Sequence, residues 1–456
     1  MSGENAAIKH NIFILTLSNM VLQAIGFLYR MMLTKLAGTE AMGLNSLIMQ
    51  IYSIAVSITI SGMNVAVVTL AARASQSGEA AIRRIVRLAA KTYVVIYAAM
   101  AIPVLLLRKS IAAHLIGDIN LSTSIALVLL CIFLTGFENL FKSLHLGTNR
   151  AKTTALSEII EQSARLVIVL LLLKSLSTGE STRAVTLIIA GMVLSEFFSI
   201  GILLTSYKKN YVRGNSIIEH KKDPSASRTY LLILAPAAFT AIASTVFESV
   251  ASLLLPGRLE IAGYTRSMAL AAIGTMNGIA VPLVTIPMCF VGAANNVILP
   301  KISESMSKGE SAKLHRLVKK SLIAAGAMVV LVNAPLLPFL NKISMLCFGI
   351  VPAKGVFLLL TVKYGIIYYQ ITSVMIMNGM MMQNKILAHA VIGEIIQMLL
   401  IYLLCSNPFL HIYGYLAAMI IGEGLRLILN LSAIQIMLRK NMRYFRYLWS
   451  IVILLI

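Results

Sequence analysis

Acidic residues are scarce in this chain. Seventeen aspartates and glutamates stand against thirty-nine lysines and arginines, and only Asp118 and Asp223 are aspartates. Tryptophan occurs once, proline eleven times and cysteine four times in 456 residues. No Gly-rich phosphate loop, His/Cys metal spacing or nucleophile elbow is present, so the chain reads as a non-enzyme with no resident cofactor or metal. Cys131, Cys289, Cys347 and Cys405 have no paired spacing. They are expected to pack or face lipid rather than form a disulfide or metal site. Charged residues of both signs make up 12% of the chain against 58% hydrophobic, and the mean hydropathy is +0.86. That balance excludes a soluble domain of this length.

Apolar runs long enough to cross a bilayer, about 20 residues each, recur end to end. They are predicted near 11–34, 43–72, 92–107, 120–145, 154–173, 184–206, 229–255, 268–297, 321–340, 355–380, 387–406 and 413–437. Runs such as Leu121 to Leu134 and Leu322 to Leu340 do not alternate apolar and polar residues, which excludes barrel strands. The predicted fold class is therefore an all-α polytopic membrane protein. A partial thirteenth span begins near Tyr447 or Leu448, within a terminal segment 438–456 that also carries a basic loop. No cleavable signal sequence is expected, because the first apolar run is long and lacks a small-residue cleavage site.

A formal net charge of +22 would point to nucleic acid in a soluble chain. Here the basic residues crowd the loops after even-numbered spans: Arg73, Arg83, Arg84, Arg87 and Lys91, then Arg150 and Lys152, then Lys208, Lys209 and Arg213, then Lys301 to Lys320, then Arg439 to Arg446. By the positive-inside rule those loops and the amino terminus are cytoplasmic. The expected partner of this charge is the anionic bilayer surface, at about 1 kcal/mol per basic residue, and no nucleic acid.

The chain also repeats itself. Arg73-Ala-Ser75-Gln-Ser77-Gly78-Glu79 follows the second span and Lys301-Ile-Ser303-Glu-Ser305-Met-Ser307-Lys-Gly309-Glu310 the eighth, and a basic amphipathic stretch follows each. The repeat predicts six-helix lobes over 1–206 and 229–437, joined by a cytoplasmic linker over 207–228. Six spans per lobe make the lobes parallel repeats around a central cavity, and alternating access is the motion such an architecture supports.

Ionisable residues inside the spans cost at least ~2.5 kcal/mol each on insertion scales and usually face protein or water. Arg30, in Gly26-Phe27-Leu28-Tyr29-Arg30, either points into a cavity or snorkels to the surface. Glu158, Glu161 and Arg165 share one helical face at i, i+3 and i+7, either as a packing lock or gate or as substrate contacts. Glu423 and Arg426, three apart, permit the same kind of pair. Glu196, Glu248 and Glu394 have no partner in their own spans and need one from another helix, a proton, or water. Gating or coupling to a proton or sodium gradient, or to the membrane potential, is the role expected of these acids. Asp118 is expected to cap a loop helix. His114, His145 and His411 are expected at span ends.

Several segments together resemble a known family. Gly26-Phe27-Leu28-Tyr29-Arg30, Gly43-Leu44, Ile51-Tyr52-Ser53 and Ser61-Gly62-Met63-Asn64-Val65-Ala66 are similar to the stage V sporulation protein B and polysaccharide flippase family. So are Glu158-Ile-Ile-Glu161-Gln162-Ser-Ala-Arg165 and Val281-Pro282-Leu283 through Pro300-Lys-Ile-Ser303-Glu304. That family belongs to the multidrug, oligosaccharidyl-lipid and polysaccharide (MOP) exporter superfamily, with lipid II flippases and multidrug antiporters. The resemblance implies two six-helix lobes around a V-shaped cavity in a bacterial plasma membrane. It also implies movement of an undecaprenyl-diphosphate-linked saccharide, such as a peptidoglycan precursor, to the outer leaflet.

Arg30 corresponds to the first-helix arginine that the family places in its cavity. Arg258 and Arg266 are second-lobe counterparts on this reading, and Arg426 is a third candidate. Lipid II flippases often follow the first arginine with an acid, where this chain has Met31. Cell-wall or polysaccharide synthesis enzymes are the partners implied, and kinship alone suggests sporulation. The competing functions are a multidrug or cation antiporter, which predicts a net acidic cleft, and a polytopic glycosyltransferase or polymerase, which needs large outer loops that are missing here.

Overall fold

The computed structural model describes residues 2–74, 79–176, 179–212, 224–353 and 355–439. Residues 213–223 of the predicted linker, 440–456 of the predicted terminal segment, Ser75 to Gly78 of the first repeated loop, and the Cys289 side chain lie outside that description. Every regular element among the described residues is helical. In a bilayer a helix satisfies its backbone internally, which apolar runs without alternation require. Among the described residues, ten helices are long and apolar enough to cross a membrane. The protein is thus a multi-pass membrane protein.

Two compact units divide the chain, Met1–Ser249 and Val250–Ile456. The first contains α1 (Ser2–Val56), α2 (Gly62–Ala74), α3 (Glu79–Ser110), α4 (Ser122–Gly147), α5 (Ala151–Leu176), α6 (Ser181–Tyr207) and the start of α7 (Pro224–Ile261). The second takes up the rest of α7, then α8 (Arg266–Thr275), α9 (Val281–Thr285), α10 (Met288–Ser307) and α11 (Ser311–Met328). It ends with α12 (Ala334–Phe348), α13 (Val356–Gly379), α14 (Gln383–Leu404) and α15 (His411–Arg439). The division falls inside α7, between Ser249 and Val250.

The first predicted segment lies in α1 before Gly38, and the second begins in α1 after Gly38 and continues into α2. The Gly38 backbone adopts φ 82°, ψ 168°, the one non-helical residue inside the 55-residue α1. A side chain is strained there, because that region of φ/ψ is open essentially to glycine alone. Nothing lies within 4 Å of a Cβ built on Gly38, so the cost of a substitution is conformational rather than steric. Gly38→Ala is expected to lower stability by about 1–3 kcal/mol, read as a shift in the melting temperature of the purified protein. An unshifted melt would mean that the break does not depend on glycine.

Wider π-helical turns interrupt the long helices. One joins α1 to α2 at Ser57–Ser61 and another joins α8 to α9 at Met276–Ala280. These occupy the same place in chain order within the second and the eighth predicted segments. Each admits an extra residue into a helical turn and so re-aims the helix locally.

In the first unit α4, α5 and α6 pack mutually, with α1 against all three and α2 and α3 against α4. Tyr93, Tyr97, Phe133 and Phe137 form a chain of tilted and edge-on rings along the α3–α4 contact, with centroids 5.2–5.9 Å apart. The Tyr93 hydroxyl donates to the Ile132 carbonyl at 2.6 Å and that of Tyr97 to the Leu129 carbonyl at 2.9 Å. Tyr93 reaches that position because α4 has a glycine beneath it: a Cβ on Gly136 would stand 1.9 Å from the Tyr93 ring. The outward face of α3 stays apolar, with Val95, Ile102, Leu106 and Leu107 all more than half exposed. That is the surface a helix offers to lipid.

The second unit packs α10, α11, α13 and α15 around Ile302, Leu314, Val318, Leu322, Ile376 and Ile434. Cys131, Cys347 and Cys405 are free thiols. Asp118 caps the short turn Ile119–Leu121, accepting from the Asn120 amide at 2.9 Å and the Thr182 hydroxyl at 2.7 Å. His145 lies at a span end as expected but is enclosed by protein there. It is wholly buried at the end of α4, within 2.9 Å of the Ser206 hydroxyl through Nε2.

Candidate functional site

Three neighbouring helices of the first unit bring six charged side chains into one buried cluster. α5 presents Glu158, Glu161 and Arg165 on a single face, as their spacing predicts, and α6 adds Glu196. α4 supplies two more, Glu138 and Lys142, spaced i, i+4 and bridged at 2.8 Å. The Lys142 ammonium also reaches Glu158 at 3.4 Å and Glu161 at 3.3 Å. Arg165 bridges Glu161 at 2.5 Å and Glu196 at 3.3 Å, and its Nε donates to Ser195 Oγ at 3.2 Å.

Hydroxyls complete the shell. Thr135 donates to Glu196 Oε1 at 3.1 Å and accepts from Tyr52 of α1 at 3.4 Å, while Ser199 donates to Glu138. Glu138 and Glu196 are each 2% exposed and Glu161 is 4% exposed. One oxygen from each of the three lies within 4.8 Å of the others. Glu196 Oε2 is buried with no hydrogen-bond donor.

A second, smaller cluster lies in the other unit. Arg426 of α15 bridges Glu394 of α14 at 2.8 Å and pairs with Glu423 one turn before it on α15. One turn further along α15, Asn430 contacts His389 Nδ1 of α14 at 2.8 Å and, on α13, Gln370 Oε1 at 3.3 Å and Ser373 Oγ at 3.2 Å. The two clusters share one plan: an arginine between a glutamate of its own helix and a glutamate of the neighbouring one. In α5 the arginine follows its glutamate by four residues and in α15 by three.

Buried ions lose several kcal/mol of solvation each, and pairing with well-placed opposite charge offsets this. Such clusters therefore hold helices in one arrangement and make separation of α5 from α6, or of α14 from α15, costly unless a charge is neutralised.

The remaining predicted residues lie apart from both clusters. Arg30 is exposed on the arm of α1 before Gly38, and its backbone carbonyl accepts from Thr34 Oγ1 at 2.9 Å. Arg258, near the end of α7, stacks on the Tyr402 ring with its guanidinium carbon 3.5 Å from the centroid. Arg266 pairs with Glu260 at 2.8 Å across the α7–α8 turn, where both are exposed. Glu248 is exposed on α7. Glu138 and Lys142 were missed by the sequence reading although their i, i+4 spacing inside the predicted 120–145 span was a legible signal. Lys363, buried in α13 with its ammonium 5.0 Å from the Tyr364 ring centroid, was missed as well.

Comparison with known proteins places this geometry. A family model described as polysaccharide biosynthesis protein matches residues 8–306. Stage V sporulation protein B of Bacillus subtilis (strain 168) is 21% identical over 455 residues, covering 97% of this chain and 86% of that one. Among solved structures, a multidrug resistance MATE family transporter of the MOP superfamily in its inward-facing conformation superposes with a TM-score of 0.75. It is 13% identical over 93% of this chain and 96% of that one. A MOP superfamily transporter from Pyrococcus furiosus Vc1 (DSM3638), described as having a binding pocket of reverse polarity, gives 0.65 at 14% identity, covering 94% of this chain and 96% of that one. The all-α, MATE-like fold and the match over most of the first three hundred residues agree, and the chain belongs to the polysaccharide biosynthesis protein family.

Proposed function

We propose that this protein carries an undecaprenyl-diphosphate-linked saccharide from the cytoplasmic to the outer leaflet of a bacterial plasma membrane. The step is conformational, with no bond made or broken. The observation that carries the reading is membership of a polysaccharide biosynthesis family on a fold shared with MOP transporters. In this reading the amino terminus and the basic loops face the cytoplasm, following the positive-inside rule.

A diphosphate is best held by guanidinium groups, which match its oxygens in a forked geometry. Arg30 is assigned that role because it is exposed on α1 and corresponds to the first-helix arginine of the family the chain resembles. Arg258 and Arg266, eight residues apart around the α7–α8 turn, are its second-unit counterparts. Arg426 was expected to contact substrate too, but it lies between Glu394 and Glu423. Its assigned role is to hold α14 against α15. Polysaccharide or cell-wall synthesis enzymes would supply and consume the substrate. An ion gradient or the membrane potential would drive the cycle, the potential contributing ~2.3 kcal/mol per elementary charge per 100 mV.

Cells lacking the protein test the reading. Their lipid-linked saccharide should stay inaccessible to an external, membrane-impermeant hydrolase and build up on the cytoplasmic side. Unchanged access would contradict it. Exchange of an organic cation is the second reading, favoured by the excess of glutamate in the first-unit cluster and by the multidrug transporters among the structural neighbours. Its mark would be cation efflux with saccharide access unchanged.

A further inference from the structure

The cluster of α4, α5 and α6 does not balance. Glu138, Glu158, Glu161 and Glu196 are four carboxyls facing two bases, Lys142 and Arg165. With every group ionised the site would carry two negative charges in excess, in a segment where even one unpaired ion is expensive. Among the described residues, the groups facing it from the packed helices supply no further ion-paired cation. α1 brings the Tyr29 and Tyr52 phenols, α4 the Cys131 thiol and α3 the Tyr93 phenol, which is engaged with the Ile132 carbonyl. α2 contributes Asn64, which contacts Asn139 and Ser143.

The shortage falls on three carboxyls. Glu158 is about one-third exposed and keeps contact with the surroundings of the cluster. Glu138, Glu161 and Glu196 are buried, one oxygen of each lies within 4.8 Å of the others, and Glu196 Oε2 is buried without a hydrogen-bond donor.

We propose that the Glu138–Glu161–Glu196 triad is a proton-binding site, holding at neutral pH at least one exchangeable proton shared between its carboxyls. The proton is favoured over an alkali cation because Lys142 and Arg165 already engage Oε1 of Glu138, both oxygens of Glu161 and Oε1 of Glu196, leaving few oxygens to replace a hydration shell. Loss of the proton would add a charge that the two bases cannot match and would loosen the α4–α5–α6 contact. If the transport reading above is right, this is the site where a proton gradient meets the conformational cycle. The binding claim itself stands apart from any substrate.

Infrared spectroscopy of the purified protein in lipid, without substrate, tests it. Wild type at pH 7 should show a protonated-carboxyl band that shifts in heavy water. Glu138→Gln and Glu196→Gln should each reduce that band, and Lys142→Met should enlarge it, because removing a base forces further proton uptake. The wild-type spectrum can be read even if one glutamine variant fails to insert, and Lys142→Met gives an independent assignment of opposite sign. No exchangeable band in wild type, or a band that none of the three variants changes, would overturn the proposal. So would sodium binding to wild type that both glutamine variants abolish while the spectrum shows no protonated carboxyl. The transport reading fails separately, in the saccharide access experiment.

Discussion

Arg165→Met is expected to cost about 3–5 kcal/mol of stability, or to prevent stable insertion, more than any single apolar substitution in the same helix. Among the described residues Arg165 alone bridges Glu161 of its own helix to Glu196 of α6, and it also donates to Ser195. Removing it leaves two carboxylates that no other cation spans, since Lys142 reaches Glu161 but makes no ion pair with Glu196. The loss should be largely recovered in the double variant Arg165→Met/Glu196→Gln, because the second change removes a charge the first has stranded. Thermal melts of the two single variants and the double variant give the coupling directly. Additive losses, or an Arg165→Met loss below about 1 kcal/mol as for exposed pairs, would contradict a buried, mutually dependent cluster.

The second large effect is on transport. Arg30→Ala is expected to weaken recognition of a diphosphate-linked lipid by about 10- to 100-fold, the worth of one or two charge-assisted hydrogen bonds at about 1.5–3 kcal/mol. Stability should change less than for Arg165→Met, because Arg30 is exposed whereas Arg165 is an ion-paired residue of the buried cluster. Arg30→Lys should recover only part of the effect, since an ammonium keeps the charge and loses the fork. Initial transport rates over a range of substrate concentrations, with melting temperatures measured in parallel, separate a binding defect from misfolding. Equal transport by wild type and Arg30→Ala at matched insertion would remove Arg30 from the substrate path.

Much of this architecture is legible in the residues because a bilayer tolerates few alternatives. Long apolar runs must be helices, and each of the twelve predicted segments overlaps a helix or a short series of helices over most of its length. Three residues on one face of α5 and a pair three apart on α15 could be read from helical periodicity. Which helices those residues meet could not. Glu196 and Glu394 needed partners from elsewhere, and only tertiary packing brings Arg165 and Arg426 to them.

Other features escaped for local reasons. The break at Gly38 is a backbone event at a glycine within an otherwise continuous helix, and the π-helical turns leave no mark in hydropathy. His145, near a segment end by number, is buried because Ser206 offers it a partner across α6. Glu138 and Lys142 are the instructive omission. Their i, i+4 spacing in an apolar segment was visible, and with them the charge excess that now defines the first-unit cluster.

Translocation by the purified protein tests the central claim most directly. Proteoliposomes carrying a fluorescent undecaprenyl-diphosphate saccharide in one leaflet, challenged with a membrane-impermeant quencher, report transfer to the other leaflet. The account predicts that wild type accelerates transfer of the diphosphate-linked lipid and leaves a zwitterionic phospholipid of similar size in place. Wild-type vesicles that match protein-free vesicles for the saccharide lipid, yet export an organic cation, would contradict it.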